Sequence, residues 1–187
     1  MKNLLVAFIT VLSISFTNAQ TEVDGVTLDN AITIDGNSLV LNGAGTRVKY
    51  FMDMYVGGLY VTSKTNDGTK TANADEAMAL KLTIVSGLIS SDKMTSAVDD
   101  GFDEVLNGNT SAMQSKINKF KGFFSEEINK GDVFDISYAK GKGTTVYKNG
   151  SKVGSIDGLE FKKALFAIWL GNSPADKKLK KGMLGNS

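Results

Sequence analysis

One arginine, Arg47, stands among the 21 basic residues of this chain. It follows the small-residue loop Gly43–Thr46 and opens a strand-like stretch. A guanidinium group is a planar fork that holds a carboxylate or an enolate at two points, and it stays charged when buried. Tyr55 lies eight residues further on, which within a single strand would place both side chains on one face. The pattern predicts an anion-binding pair, Arg47 and Tyr55; the alternative is that Arg47 is an ordinary surface ion-pair residue.

The residue types that are missing exclude several kinds of chemistry. The chain has no cysteine and no histidine. This excludes metal sites built on these ligands, and it excludes nucleophiles activated by histidine. An acidic group on a predicted helix, Asp99, Asp100, Asp103 and Glu104, does not match the spacing of a calcium loop and is interpreted as a solvated face. We expect no metal and no cofactor, and the net charge of +1 argues against a nucleic-acid partner.

The N-terminal residues have the features of a secretory signal. Lys2 precedes the apolar run Leu4–Leu12, and small residues precede Gln20. The run is too short to span a membrane comfortably. We predict a signal peptide at 1–19 that is cleaved after Ala19, leaving a single domain at 20–187. The mature protein would then be periplasmic or secreted, without integral membrane association.

Hydrophobic periodicity gives the order of the elements. Short strands come first, followed by one long strand over 48–61, in which Phe51 and Tyr55 share a face, and by a loop over 62–75. A strand near 77–85, two helices from Ser90 and Thr110, a three-stranded meander and a final apolar helix follow. This order predicts an α+β domain in which a large antiparallel sheet packs against a helical layer.

Two segments together resemble the chalcone isomerase-like family, in particular its exported bacterial branch. The first is Gly43–Arg47 followed by Tyr55–Tyr60; the second is Phe161–Gly171, followed by Ser173–Pro174 and the Lys-rich end. The resemblance implies an open-faced β-sandwich with a ligand cleft between sheet and helices. It also implies one of two functions. Some members of the family are isomerases that close an enone by intramolecular addition, and others bind fatty acids without catalysis. In both groups an arginine that matches Arg47 faces the ligand.

The chain departs from the isomerase pattern at the other positions. Tyr55 stands where the plant isomerases have threonine, and Met94 and Gly101 stand where they have tyrosine and asparagine. Only Ala167, Ile168 and Trp169 lie near their threonine in the final helix. The chain therefore has the family's arginine but lacks most of the hydroxyl and amide groups of the isomerases.

Three functions remain open at this stage. The first is binding of a small apolar carboxylate such as a fatty acid, with Arg47 and Tyr55 as ligand-binding residues. The second is an isomerase, an intramolecular lyase acting on an enone, in which Arg47 is the catalytic residue. The third is a non-catalytic structural or partner-binding protein whose cleft is closed. The surroundings of Arg47 distinguish them.

Overall fold

A computed structural model describes residues 19–186, so all of the predicted signal peptide except Ala19 lies outside the described residues. The strands are β1 (Gln20–Val23), β2 (Val26–Asp29), β3 (Ala31–Ile34), β4 (Asn37–Lys49), β5 (Met52–Val61), β6 (Met78–Ile84), β7 (Val133–Ala139), β8 (Gly143–Lys148) and β9 (Ser151–Ile156). The helices are α1 (Gly68–Asn73), α2 (Ser91–Leu106), α3 (Gln114–Gly122), α4 (Leu159–Leu170) and α5 (Lys177–Met183).

The seven strands β3 to β9 form one antiparallel sheet in which sequence neighbours are also spatial neighbours. Strands β1 and β2 form a separate hairpin. Tight turns such as Asn149–Gly150 connect strands because both residues adopt positive φ without the penalty that larger side chains meet. The predicted α+β class, with a large antiparallel sheet and a helical layer, is confirmed.

Strand β5 shows how the sheet separates two apolar layers. Tyr55 and Leu59 point toward the main core, which the helices complete, whereas Val56 and Tyr60 point into a smaller cluster with Leu28 of β2. Side chains alternate across a strand, so an apolar stretch without polar alternation must be covered on both faces. Strand β5 is accordingly covered on both faces.

The predicted single strand over 48–61 is wrong. The chain turns back at Tyr50 and Phe51, whose φ angles are 54° and 63°, and this turn separates β4 from β5. Phe51 is fully exposed at the turn and does not share a face with Tyr55. Aromatic residues are rare in this left-handed conformation, so the sequence carries no turn signal there.

The predicted loop over 62–75 contains a short helix, α1. The Asp67 side chain accepts a hydrogen bond from the Lys70 backbone N–H at 2.9 Å, which caps its first turn. Its other end lies against the fully buried Lys162 of α4. Six residues are too few for a visible hydrophobic period, which explains why the sequence did not reveal this helix.

The helix α2 forms one wall of the region around Arg47. It begins after Ser90, whose hydroxyl accepts from the Lys93 backbone N–H at 3.3 Å, as the sequence predicted. Val98 and Phe102 are its buried residues and attach it to the core. The opposite side of the helix carries the acidic residues that we interpreted as a solvated face.

Candidate functional site

Arg47 and Tyr55 lie side by side on neighbouring strands. They are directly paired in the register of β4 and β5, and the Arg47 Cζ lies 5.8 Å from the centroid of the Tyr55 ring. The expectation that they lie eight residues apart along one strand was wrong, because the Tyr50–Phe51 turn intervenes. Their proximity is nevertheless real, and it comes from cross-strand pairing.

A β-bulge at Met54 shapes the surface beside this pair. Arg47 pairs with Tyr55 and Val48 pairs with Asp53, so Met54 has no partner on β4. An extra residue shifts the alternation of side chains along its strand and bends the strand. Met54 therefore packs against the main core, and both Met52 and Met54 line a cleft between the hairpin and α2.

This cleft has an apolar arm with a volume of about 560 Å³. The sheet side contributes Arg47 and Tyr55 as well as the two methionines, and the helix side contributes Met94 and Ala97 of α2. Leu88 and Ile89, from the loop before α2, complete one wall. Most ligand cavities in proteins are concave, mostly apolar and about 300–1,000 Å³ in volume, with few polar groups.

A second, polar arm of about 450 Å³ extends from the same arginine toward the end of α4. Both arms are lined by Arg47, Lys49, Ala97 and Asp100. The remaining polar residues of this second arm are Glu104, Asn172, Ser173 and Lys177. Arg47 thus stands where an apolar cavity meets a polar one.

Apart from the ring of Tyr55, the guanidinium group of Arg47 has no protein partner within the part of the chain that the structure describes. It takes part in none of the ion pairs formed between residues 19 and 186, and no side-chain hydrogen bond connects it to a protein oxygen there. The acids that line the two arms, Asp92, Asp100 and Glu104, form no ion pair with it. A half-buried guanidinium retains donors for an anion that enters the cleft.

The Tyr55 hydroxyl is held in place by Trp169 of α4. The Trp169 Nε1–H donates to the Tyr55 Oη over 2.8 Å, and both side chains are buried. An indole N–H is only a donor, so Tyr55 must accept in this bond and its own O–H proton remains available. The sequence pointed to Trp169 only as one of three residues near the threonine of the isomerases, and did not predict its contact with Tyr55.

The positions that replace the isomerase hydroxyl and amide groups also lie around Arg47. Met94 lines the apolar arm, and Gly101 and Ile168 line the polar arm. At Gly101 a Cβ atom would lie 2.9 Å from the Ile168 Cγ2, so glycine permits the close approach of α2 and α4. None of these three side chains can hydrogen-bond a developing enolate, and Trp169, which also lies near the position of the isomerases' threonine, donates its N–H to Tyr55.

No group of three or more acidic, histidine or cysteine side chains between residues 19 and 186 is arranged to hold a metal ion. No helix in that same range is long and apolar enough to cross a membrane.

Comparison with known proteins places this geometry in a family. A solved structure of a fatty-acid binding protein from Arabidopsis thaliana shares the fold, with a TM-score of 0.70 and 20% identity, over 87% of this chain and 93% of that chain. A search of curated proteins gave no match. A family model described as chalcone isomerase-like matches residues 20–185. The chain therefore belongs to the chalcone isomerase-like family.

Proposed function

We propose that this protein binds a small apolar carboxylate, such as a fatty acid, in the cleft between the β4–β5 hairpin and α2. The observation that carries the proposal is the position of Arg47. Its guanidinium has no acidic partner among residues 19–186 and lines a mostly apolar cavity. A charge in that setting calls for a counter-ion with an apolar body.

The two site residues would divide the recognition of the carboxylate. Arg47 would hold both oxygens through its planar fork, and the free O–H proton of Tyr55 would reach one of them. The hydrogen bond from Trp169 fixes the orientation of the Tyr55 hydroxyl before the ligand arrives. Such preorganisation lowers the entropy lost on binding.

The apolar arm would take the hydrocarbon chain. Its methionine side chains, at Met52, Met54 and Met94, are flexible and adapt to ligands of different shape. Each buried methylene contributes about 0.8 kcal/mol, so chain length would set the affinity. The fatty-acid binding protein from Arabidopsis thaliana, which shares the fold, supports this choice of ligand class.

The two other functions have less support. An enone isomerase would rely on Arg47 with the Tyr55 hydroxyl, because Met94, Gly101 and Ile168 supply no donor. Loss of one oriented donor typically lowers a rate by about a hundredfold or more. A structural protein with a closed cleft does not fit a cavity of about 560 Å³ beside Arg47.

Export belongs to the same proposal. Lys2, the apolar run Leu4–Leu12 and the small residues up to Ala19 favour cleavage before Gln20, which would place the protein in the periplasm or outside the cell. N-terminal sequencing of the protein recovered from outside the cytoplasm tests this. A chain that still begins at Met1 would contradict it.

Titration with a fluorescent fatty acid tests the binding proposal. We expect Arg47→Ala to weaken binding by about 2–5 kcal/mol, the cost of removing one partner from a buried charge pair. Arg47→Lys should also weaken binding, because a point charge does not reproduce the fork. Tyr55→Phe should cause a smaller loss.

Lys152→Ala is the matched control, since Lys152 is an exposed cation on β9 that does not line either arm of the cleft. Circular dichroism confirms that each variant is folded. If folded Arg47→Ala binds the fatty acid as tightly as the wild type, Arg47 is a structural residue and the proposal fails.

A further inference from the structure

The turn between β4 and β5 is the most exposed apolar feature of the described residues. Phe51 is 102% exposed and Tyr50 is 77% exposed relative to an extended reference. Val48 and Met52 flank them at 43% each, and Leu88 of the neighbouring loop is 42% exposed. We call these five residues the hairpin tip. An exposed apolar cluster of this kind marks a surface that meets another apolar phase.

The choice of residues at this turn differs from the other two-residue turns of the molecule. Asp24–Gly25, Asp35–Gly36 and Asn149–Gly150 have positive φ at both positions and use the residues that tolerate it. Among the turns of residues 19–186, only Tyr50–Phe51 places two aromatic side chains in the same left-handed conformation. The chain therefore accepts a local conformational cost in order to project aromatic rings outward, which is typical of functional positions.

The area of the hairpin tip argues against a protein partner. An aromatic side chain buries about 150–250 Å², and two such rings with their neighbours remain below the roughly 800 Å² that each partner buries in a stable protein interface. The tip is also convex, since it is the end of a hairpin. A narrow projection with aromatic rings and a lysine, Lys49, suits the interface of a lipid bilayer.

The hairpin tip also adjoins the proposed ligand cleft. Tyr50, Met52 and Leu88 line the apolar arm as well as belonging to the tip. A bilayer in contact with the tip would therefore lie next to the cleft opening. We propose that the hairpin tip inserts into a lipid bilayer, so that an apolar ligand passes between bilayer and cleft without crossing water. The passage of ligand rests on the proposed function; the insertion does not.

The charges around the tip predict the nature of this contact. Lys49 and Lys93 are exposed near the tip, and so are the acidic Asp53 and Asp92. Because these charges balance, insertion should depend on the aromatic rings and only weakly on anionic lipid. This expectation separates insertion from simple electrostatic adsorption, which requires an excess of basic residues.

The chain lacks cysteine, so a single introduced cysteine gives one attachment point for an environment-sensitive dye. We would label full-length Asp53→Cys beside the tip, and full-length Lys140→Cys in the β7–β8 turn at the opposite end of the sheet. Vesicles of phosphatidylcholine, with or without phosphatidylglycerol, are then added. We expect a blue shift of the dye emission for the Asp53→Cys protein and none for the Lys140→Cys protein.

A second substitution in the labelled protein tests the aromatic ring itself. Asparagine tolerates the left-handed conformation, so Phe51→Asn keeps the turn and removes the aromatic ring. We expect vesicle affinity to fall roughly tenfold or more, whereas Val40→Thr, which alters an exposed apolar residue near the opposite end, should leave it unchanged. Phe51→Trp should restore binding.

Several results would overturn the insertion proposal. They are no blue shift at either position, an equal shift at both, or vesicle affinity that Phe51→Asn leaves unchanged. A shift that grows with protein concentration without vesicles would identify a second copy of the chain as the partner and would also refute it. Residues 1–19 are common to all variants, so attachment through them does not move the tip label selectively. Fatty-acid titration without vesicles reports separately on the proposed function.

Discussion

Two cations of this protein lie in contrasting surroundings. Lys162 of α4 is fully buried, and its Nζ donates to the carbonyl oxygens of Thr71 at 3.2 Å, Ala72 at 2.9 Å and Ala74 at 2.6 Å. Arg47 is half-buried and has no such oxygen partner among residues 19–186. Buried polar groups in proteins are normally satisfied, as Lys162 is, whereas the donors of Arg47 face the adjoining cavity.

The comparison shows that burial of a charge does not by itself identify a functional residue. Lys162 supplies the donors that the end of α1 lacks, because the last carbonyl groups of a helix have no partner within the helix. The rings of Tyr138 and Phe166 each lie 5.3 Å from its Nζ and add a cation–π contact. Its role is complete within the protein, whereas that of Arg47 is not.

Lys162→Met should give the largest effect on stability. The substitution keeps the apolar stem but removes the Lys162 donor from three carbonyl oxygens at the end of α1, and we expect the free energy of unfolding to fall by about 3 kcal/mol. Urea denaturation measures this. Lys163→Met is the matched control: Lys163 pairs with Glu160 at the surface over 2.7 Å, so its loss should cost less than about 1 kcal/mol. Equal losses of unfolding free energy in the two variants would show that Lys162 has no special structural role.

The bond between Trp169 and Tyr55 should give the next largest effect. Tyr55→Phe leaves a buried indole N–H without an acceptor, and we expect it to lower the free energy of unfolding by about 1–2 kcal/mol. In a double-mutant cycle with Trp169→Phe, the coupling energy should be about 1 kcal/mol. A coupling energy near zero would show that this bond does not position the Tyr55 hydroxyl.

Arg47→Met should change stability least among the cation replacements. The new side chain is apolar and enters a mostly apolar cavity, while no protein oxygen within residues 19–186 loses a partner. We expect the free energy of unfolding to stay within about 0.5 kcal/mol of the wild type or to rise. A loss comparable to that of Lys162→Met would make both cations structural, and the contrast between the two regions would disappear.

The pH dependence of stability should show a smaller effect than the loss of Lys162 itself. Burial is the main cause that lowers the pKa of Lys162 to about 8. Between about pH 8 and 10 the unfolded chain, with an ordinary lysine pKa near 10.4, therefore binds more protons than the folded protein. The contribution of Lys162 to the free energy of unfolding consequently rises with pH across that window and is nearly constant below it. Denaturation at pH 8 and pH 9 should show a difference of about 1 kcal/mol or less that Lys162→Met removes.

Most of the fold could be predicted because the signals were local. Ser90 marks the start of α2, and Asn149–Gly150 marks a tight turn; both act through residues adjacent in sequence. The Tyr50–Phe51 turn could not be predicted from the sequence, because its residues are typical of strands and not of turns. Helix α1 could not be predicted either, because Lys162, which is distant in sequence, donates to the carbonyl groups at its end.

The site could be predicted as a set of residues but not as a geometry. Arg47 stood out because it is the only arginine, and Tyr55 because of its distance along the chain. The structure brings them together by strand pairing instead, and it adds Trp169 and the two methionines near the bulge. Those additions depend on register, which a single residue of slippage would reverse.

The sequence by itself determined the chemistry that is available: one guanidinium fork, no histidine or cysteine, and strands and helices in an α+β order. These are properties of composition and of short-range periodicity, so they need no knowledge of distant contacts. Only the tertiary structure decided which cation is satisfied and which is not. Lys162 donates hydrogen bonds to carbonyl groups of a helix about 90 residues away in the sequence. The cavity beside Arg47 exists because a bulge, a turn and the helix α2 meet there.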